Sequence, residues 1–152
     1  MTYAKTTEVP IERSKMEIEQ VLRRYGADQF LSGWDQERTY IGFRIEGRQV
    51  KLTISMPNYN DFRLTPKTKE SRTPTAQKAA WEQGCRQRMR ALLLVIKAKL
   101  EAVELGITTV ESEFLANIML PDGRTVGTWA GPQLEAAYGR GTMPALLPGS
   151  TQ

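Results

Sequence analysis

Apolar residues recur along this chain with two different periods, and the changes between them mark its elements. From Pro74 to Gly106, Trp81, Cys85, Met89, Leu92, Ile96, Leu100 and Val103 return at steps of three or four. That spacing puts them on one face of a long α-helix. Thr73 before Pro74 suits its start and Gly106 its stop. The run Ala91 to Ile96 is apolar nearly all round, so other elements should cover the central turns. Arg86, Arg90 and Lys97 fall on a stripe away from the apolar face.

Upstream, Ser14 with Glu17 forms a capping-box pattern before Ile18, Val21, Leu22 and Tyr25, which predicts a helix over Lys15 to Tyr25 closed by Gly26. The period then drops to two. Gln29 to Trp34 reads as a strand and Asp35 to Glu37 as a turn. Ile41, Phe43 and Ile45 alternate with polar or small residues, as do Val50, Leu52, Ile54 and Met56, with a two-residue turn expected at Gly47 and Arg48. Three antiparallel strands with one apolar face result. The other face carries Tyr40, Arg44, Lys51, Thr53 and Ser55. Thr7 to Val9 could add an edge strand.

After Gly106, Thr108 with Glu111 repeats the capping pattern, and Val110, Phe114, Leu115 and Ile118 suggest a short helix before Asn117. Pro121-Asp122-Gly123 signals a turn, with Met119 and Leu120 on one side and Arg124 to Thr128 as a return strand. A small helix is expected from Pro132 to Tyr138, a docked strap from Met143 to Pro148, and a free end from Gly149. The fold class is therefore α+β: a three-stranded antiparallel sheet packed on a long central helix, with short N-terminal and C-terminal helices and a C-terminal hairpin.

At 152 residues the chain reads as a single domain, 1 to 152, with room for a core that needs no disulfide or structural metal. Its apolar runs are too short to span a bilayer and its N-terminus lacks a secretion signal, so a cytoplasmic protein is expected. The single cysteine fits that setting. It lies on the apolar face of the long helix and reads as a small buried hydrophobe.

The absence of histidine removes the usual general base, the serine and cysteine dyads and histidine metal sites. No cofactor or catalytic residue is expected. Carboxylates alone could still hold magnesium. Asp35 with Gln49-Val50-Lys51 faintly suggests a nuclease but has Gln49 where a carboxylate belongs. Glu101 with Glu104 and Glu111 with Glu113 read more simply as partners of Lys97 and Lys99.

The net charge of +4 permits a polyanionic partner. Pro57 to Thr73 forms a long basic loop in which Arg63, Lys67, Lys69 and Arg72 outnumber Asp61 and Glu70. Candidate nucleic-acid-binding residues are these four with Tyr40, Arg44, Lys51, Tyr59, Arg86, Arg90 and Lys97. Tyrosine rings would stack bases while cations meet phosphates. This reading requires the cations to share one continuous outer surface. The apolar circumference of the long helix also points to a homodimer through it.

Tyr3-Ala4-Lys5 with Ser14, Ala80-Trp81-Glu82-Gln83 through Arg86-Gln87-Arg88, Leu93 to Glu101, Leu120-Pro121-Asp122-Gly123-Arg124-Thr125-Val126 and Met143 to Pro148 together resemble a family of small proteins of tailed bacteriophages and prophages. The resemblance spans nearly the whole chain. It implies a setting in phage DNA metabolism or in evasion of host defence, where the protein would mask a host protein or sequester a signalling nucleotide. It carries no activity and no catalytic residues.

Overall fold

A computed structural model describes residues Pro10 to Gly141. The strand expected at Thr7 to Val9 and the strap at Met143 to Pro148 lie outside these residues. Helix α1 (Ile11–Arg24) is followed by strands β1 (Gln29–Trp34), β2 (Arg38–Ile45) and β3 (Arg48–Ser55), then helices α2 (Pro74–Glu104), α3 (Val110–Glu113) and α4 (Val126–Arg140). The fold is α+β, a three-stranded antiparallel sheet with a long helix and shorter ones.

Helix α1 begins four residues before the expected start. Ser14 donates its N–H to the Pro10 carbonyl at 3.1 Å, so it belongs to the first turn and does not cap it. Packing overrides the capping pattern here: Ile11, Ser14, Ile18 and Val21 form the inward stripe, and Ser14 is fully buried. Both α1 and α2 end in the same way. Gly26 and Gly106, at φ 100° and 74°, reverse the chain, and the residue after each donates to the carbonyl five residues earlier, Ala27 to Leu22 and Ile107 to Ala102.

The sheet order is β1-β2-β3. Its β2–β3 turn consists of Glu46 and Gly47, at φ 50° and 75°, with Ile45 opposite Arg48. The expected Gly47–Arg48 turn is thus displaced by one residue, because a two-residue turn matching strand twist needs both central residues left-handed. Phe30, Thr39, Ile41, Phe43, Ile45 and Val50 face inward, where Phe43 meets Phe114 edge-on at 5.4 Å. The alternate positions form the outer face. Across it run the rows Leu31–Gly42–Lys51, Gly33–Tyr40–Thr53 and Gln29–Arg44–Gln49.

Helix α2 starts as expected, with the Thr73 hydroxyl accepting from the Ala76 N–H at 3.2 Å. Its buried line is Cys85, Met89, Leu93, Ile96 and Leu100. Leu93 replaces Leu92 at the centre, and Leu94 and Val95 are 39% and 49% exposed, so the middle turns are not covered all round. Its first half instead receives the segment 57–73.

That segment is more structured than a bare loop. Asn58 caps a short 3-10 turn over Tyr59–Phe62, and Leu64 bridges to Ser71. Phe62 sits over Gly84, where an added Cβ would lie 2.9 Å from the ring. The Trp81 indole N–H donates to the Pro57 carbonyl at 2.8 Å, and the Gln77 amide to the Tyr59 carbonyl at 3.1 Å.

Thr109, not Thr108, caps α3. The C-terminal hairpin shrinks to one bridge, Met119 with Thr125. Thr125 then accepts from the Thr128 N–H at 3.2 Å and starts α4, so the expected return strand Arg124 to Thr128 is largely helix. Pro132 lies inside α4 and does not begin it; the helix stops at Gly141, φ 68°.

Candidate functional site

Gly42 sits at the centre of the outer sheet face with no side chain, flanked across the strands by Leu31 and Lys51 and along its own strand by Tyr40 and Arg44. The missing side chain opens a groove of about 500 Å³, lined by Leu31, Gly33, Tyr40, Lys51 and Met119 among others. A volume of this order suits one small organic ligand.

Tyr40 is locked in place. Its hydroxyl donates to Asp35 Oδ2 at 2.8 Å, and the Lys51 ammonium lies 4.9 Å from its ring centroid. The hydrogen bond to Asp35 pushes the phenol pKa up, so the ring stays neutral. The Asp35 carboxyl is held below its usual range, chiefly by the Glu37 N–H and then by the Tyr40 hydroxyl. Asp35 also accepts from the Arg38 N–H at 2.8 Å, so its oxygens close the β1–β2 turn.

Arg44, the other candidate cation of this face, is paired. It meets Asp28 through two bonds, 2.9 and 2.7 Å, and that contact lowers the Asp28 pKa and raises its own. Its charge is therefore largely cancelled locally.

On α2, Arg90 meets Glu17 of α1 at 2.7 Å with only 13% of its side chain exposed. It forms part of the helix-helix contact. Arg86 chelates the Gln83 side-chain oxygen at 3.0 and 2.6 Å. Lys97 is exposed and, among the described residues, has no ion pair. Of the three cations expected on one stripe, Arg90 turns to α1 and Arg86 to Gln83, while Lys97 faces solvent.

The segment 57–73 brings its own cations together. Arg63, Lys69 and Arg72 line a second cavity of about 570 Å³ with Asp61, Gln83 and Gln87. Arg72 donates to the Phe62 and Leu64 carbonyls at 3.0 and 3.3 Å and so shapes the loop. Arg63, Lys67 and Lys69 are exposed and have no ion pair among the described residues. Tyr59 packs edge-on against Trp81 at 5.9 Å and is 40% exposed, which leaves a partial stacking surface. Among the candidates, Tyr40 and Lys51 line the sheet groove, Arg63, Lys69 and Arg72 line the cavity beside the segment 57–73, Arg90 joins the helix contact, and Lys67 and Lys97 stand exposed outside both cavities.

Gln49 pairs with Arg44 and Ser55 with Arg38, so the Asp35 turn and Gln49 lie at opposite ends of the sheet, about 20 Å apart at roughly 3.4 Å per residue. Glu101 accepts from the Tyr25 hydroxyl at 3.0 Å, Glu111 faces Arg48 at 3.2 Å and Glu113 faces Lys99 at 3.7 Å. Among the described residues, no three metal-ligating side chains converge. Cys85 is 3% exposed, and burial raises its thiol pKa. No helix among the described residues is long and apolar enough to cross a membrane.

Two features were missed in the sequence: the groove-opening role of Gly42, and Gly84 as the seat of Phe62. Gly42 stands at an outward position of the alternation and Gly84 beside Cys85, so neither breaks an apolar pattern and the only available signal was a glycine inside each predicted element. The class defined by these features is an α+β protein with an open groove on the solvent face of its sheet. No protein-family model matches the chain, and neither a curated protein nor a solved structure matches it.

Proposed function

We propose that this protein is a non-enzymatic accessory protein that binds a nucleotide, or one unstacked base of a single-stranded nucleic acid, in the groove over Gly42. The observation that carries the reading is the Tyr40–Lys51 pair at the wall of that groove, an aromatic ring fixed by Asp35 with an ammonium 4.9 Å from its centroid. A base would pack between Leu31 and Tyr40, and Lys51 would turn to the phosphate. In the phage setting that the sequence resemblance implies, the ligand would be an intermediate of DNA metabolism.

A second reading is favoured by the size of the groove, which accommodates a nucleotide better than a long strand. The protein would sequester a signalling nucleotide of host defence in the bacterial cytoplasm. Both readings are tested by titrating mononucleotides, cyclic dinucleotides and short single-stranded oligonucleotides by calorimetry at two salt concentrations. Binding lost in Lys51→Glu and weakened at least tenfold in Tyr40→Ala is the expected result. Absence of binding by all three ligand classes at low salt rejects the groove as a nucleotide site.

A further inference from the structure

The sheet has two edges, and they are treated differently. Asp35 donates its N–H to the Arg38 carbonyl and Met56 donates to Glu37, which fixes the hydrogen-bonding phase of both ladders. On β3, Gln49, Lys51, Thr53 and Ser55 then direct their main-chain groups away from β2. Three of these carbonyls are covered: Gln49 accepts from the Met119 N–H at 2.8 Å, Lys51 from the Asn117 amide at 3.2 Å and Ser55 from the Arg88 guanidinium at 2.7 Å.

On β1 the outward groups belong to Phe30, Ser32 and Trp34. Among the described residues, nothing outside the strand reaches them. This strand also lacks the usual protections of an edge, having no lysine and no proline in Gln29 to Trp34. Leu31 and Trp34 are each 76% exposed.

We infer that β1 is the seat of a second copy of this chain, paired antiparallel about a twofold axis at Ser32. The strand is self-complementary in that register and in no charged position opposes itself. Phe30 would face Trp34 of the partner subunit, giving two cross-strand aromatic pairs. Leu31 would face Gly33 of the partner subunit, where a glycine with nothing within 4 Å of its Cβ direction leaves space for it. Ser32 would face Ser32 of the partner subunit. The three outward residues would form roughly six main-chain hydrogen bonds, two for each closely bonded pair.

Pairing of this kind makes one six-stranded sheet. The row Lys51–Gly42–Leu31 continues into Gly33 and Tyr40 of the partner subunit, so the partner supplies the far wall of each groove. This consequence rests on the groove being the ligand site; the dimer itself does not. A heterologous peptide strand is the competing occupant, and a twofold pairing is distinguished from it by stoichiometry in the purified protein.

The test is light scattering on the full chain, without ligand, across a concentration series. A mass twice that of the chain is expected, and Ser32→Lys, which sets two ammonium groups together at the axis, should return a monomer with an unchanged far-ultraviolet circular dichroism spectrum. Hydrogen exchange should show protection at Phe30, Ser32 and Trp34 in the wild type and its loss in Ser32→Lys. A wild-type monomer at the highest soluble concentration overturns the inference. So does a dimer that survives Ser32→Lys but is broken by Val95→Glu, since that would place the contact on α2. A β1 dimer that binds none of the nucleotides leaves this inference standing and rejects the groove reading alone.

Discussion

The contact between α1 and α2 and the segment 57–73 use the same kind of side chain for opposite ends. Arg90, with 13% of its side chain exposed, is largely withdrawn from water and meets Glu17 across two helices. Arg63, Lys67 and Lys69 stand exposed on a loop held by other groups, through Phe62 on Gly84 and Trp81 on the Pro57 carbonyl. A guanidinium in the first environment needs its carboxylate, because desolvation has already been incurred. An ammonium in the second has its hydration and needs nothing from the fold. Count of positive charge therefore says little about available positive charge, and substitutions should separate the two.

The largest effect on stability is expected at Glu17. Glu17→Ala leaves Arg90 partly buried without its carboxylate and should cost about 1 to 3 kcal/mol, less than a fully buried pair because Glu17 is 24% exposed. Urea denaturation measures this. Arg90→Met, which removes the charge and keeps the length, should cost less than Glu17→Ala. The reverse order would show that the contact works through the guanidinium alone.

Next comes Gly84. Gly84→Ala puts a methyl group 2.9 Å from the Phe62 ring and 3.1 Å from Pro57. The ring must move, at about 1 to 3 kcal/mol for overpacking, offset by up to about 1 kcal/mol of helix propensity. The diagnostic readout is local. Trypsin should cut at Arg63, Lys67 and Lys69 much faster in the variant, because the anchor of the segment has been displaced while the α1–α2 contact is untouched.

Acid should act where a carboxylate is held by a neighbouring donor, as in the sheet. Asp28, beside Arg44, and Asp35, with the Glu37 N–H, have carboxyls held below their usual range. A lowered folded-state pKa contributes stability above the unfolded value of about 3.9 and loses it as pH falls through the lower folded value. Melting temperature should thus be flat from about pH 8 to 5 and fall below about pH 4. Asp28→Asn should flatten that fall slightly, both groups being exposed, and reversal of Lys67 or Lys69 should leave its shape unchanged.

The same division explains what could be read from the chain beforehand. Strand alternation from Ile41 to Met56 and the Thr73–Pro74 start were legible because they depend on neighbours in sequence. The partners of Arg44 and Arg90 were not, since Asp28 is 16 residues away and Glu17 is 73. Helix α4 was misplaced because Gly127, Gly131 and Pro132 have low helix propensity; the Thr125 cap is local, but the close approach of Gly127 to the Ala116 carbonyl, 2.9 Å from an added Cβ, is a tertiary fact. The open edge of β1 was equally hidden, for it follows from strand order and from which edge Met119, Asn117 and Arg88 happen to cover.

The smallest structural effect and the most discriminating functional one belong to the exposed cations. Lys67→Glu and Lys69→Glu should each change stability by no more than about 0.5 kcal/mol, since they break no contact among the described residues. Their effect on ligand binding then reports where phosphate is held. If the Gly42 groove alone binds, Lys51→Glu abolishes affinity and the loop reversals leave it within about twofold. If a longer strand also crosses the 57–73 segment, each reversal lowers the salt dependence of oligonucleotide affinity by about one unit of slope while mononucleotide affinity stays fixed. A loss of mononucleotide binding on loop reversal, with Lys51→Glu silent, would move the site from the sheet to the cavity beside Arg63, Lys69 and Arg72.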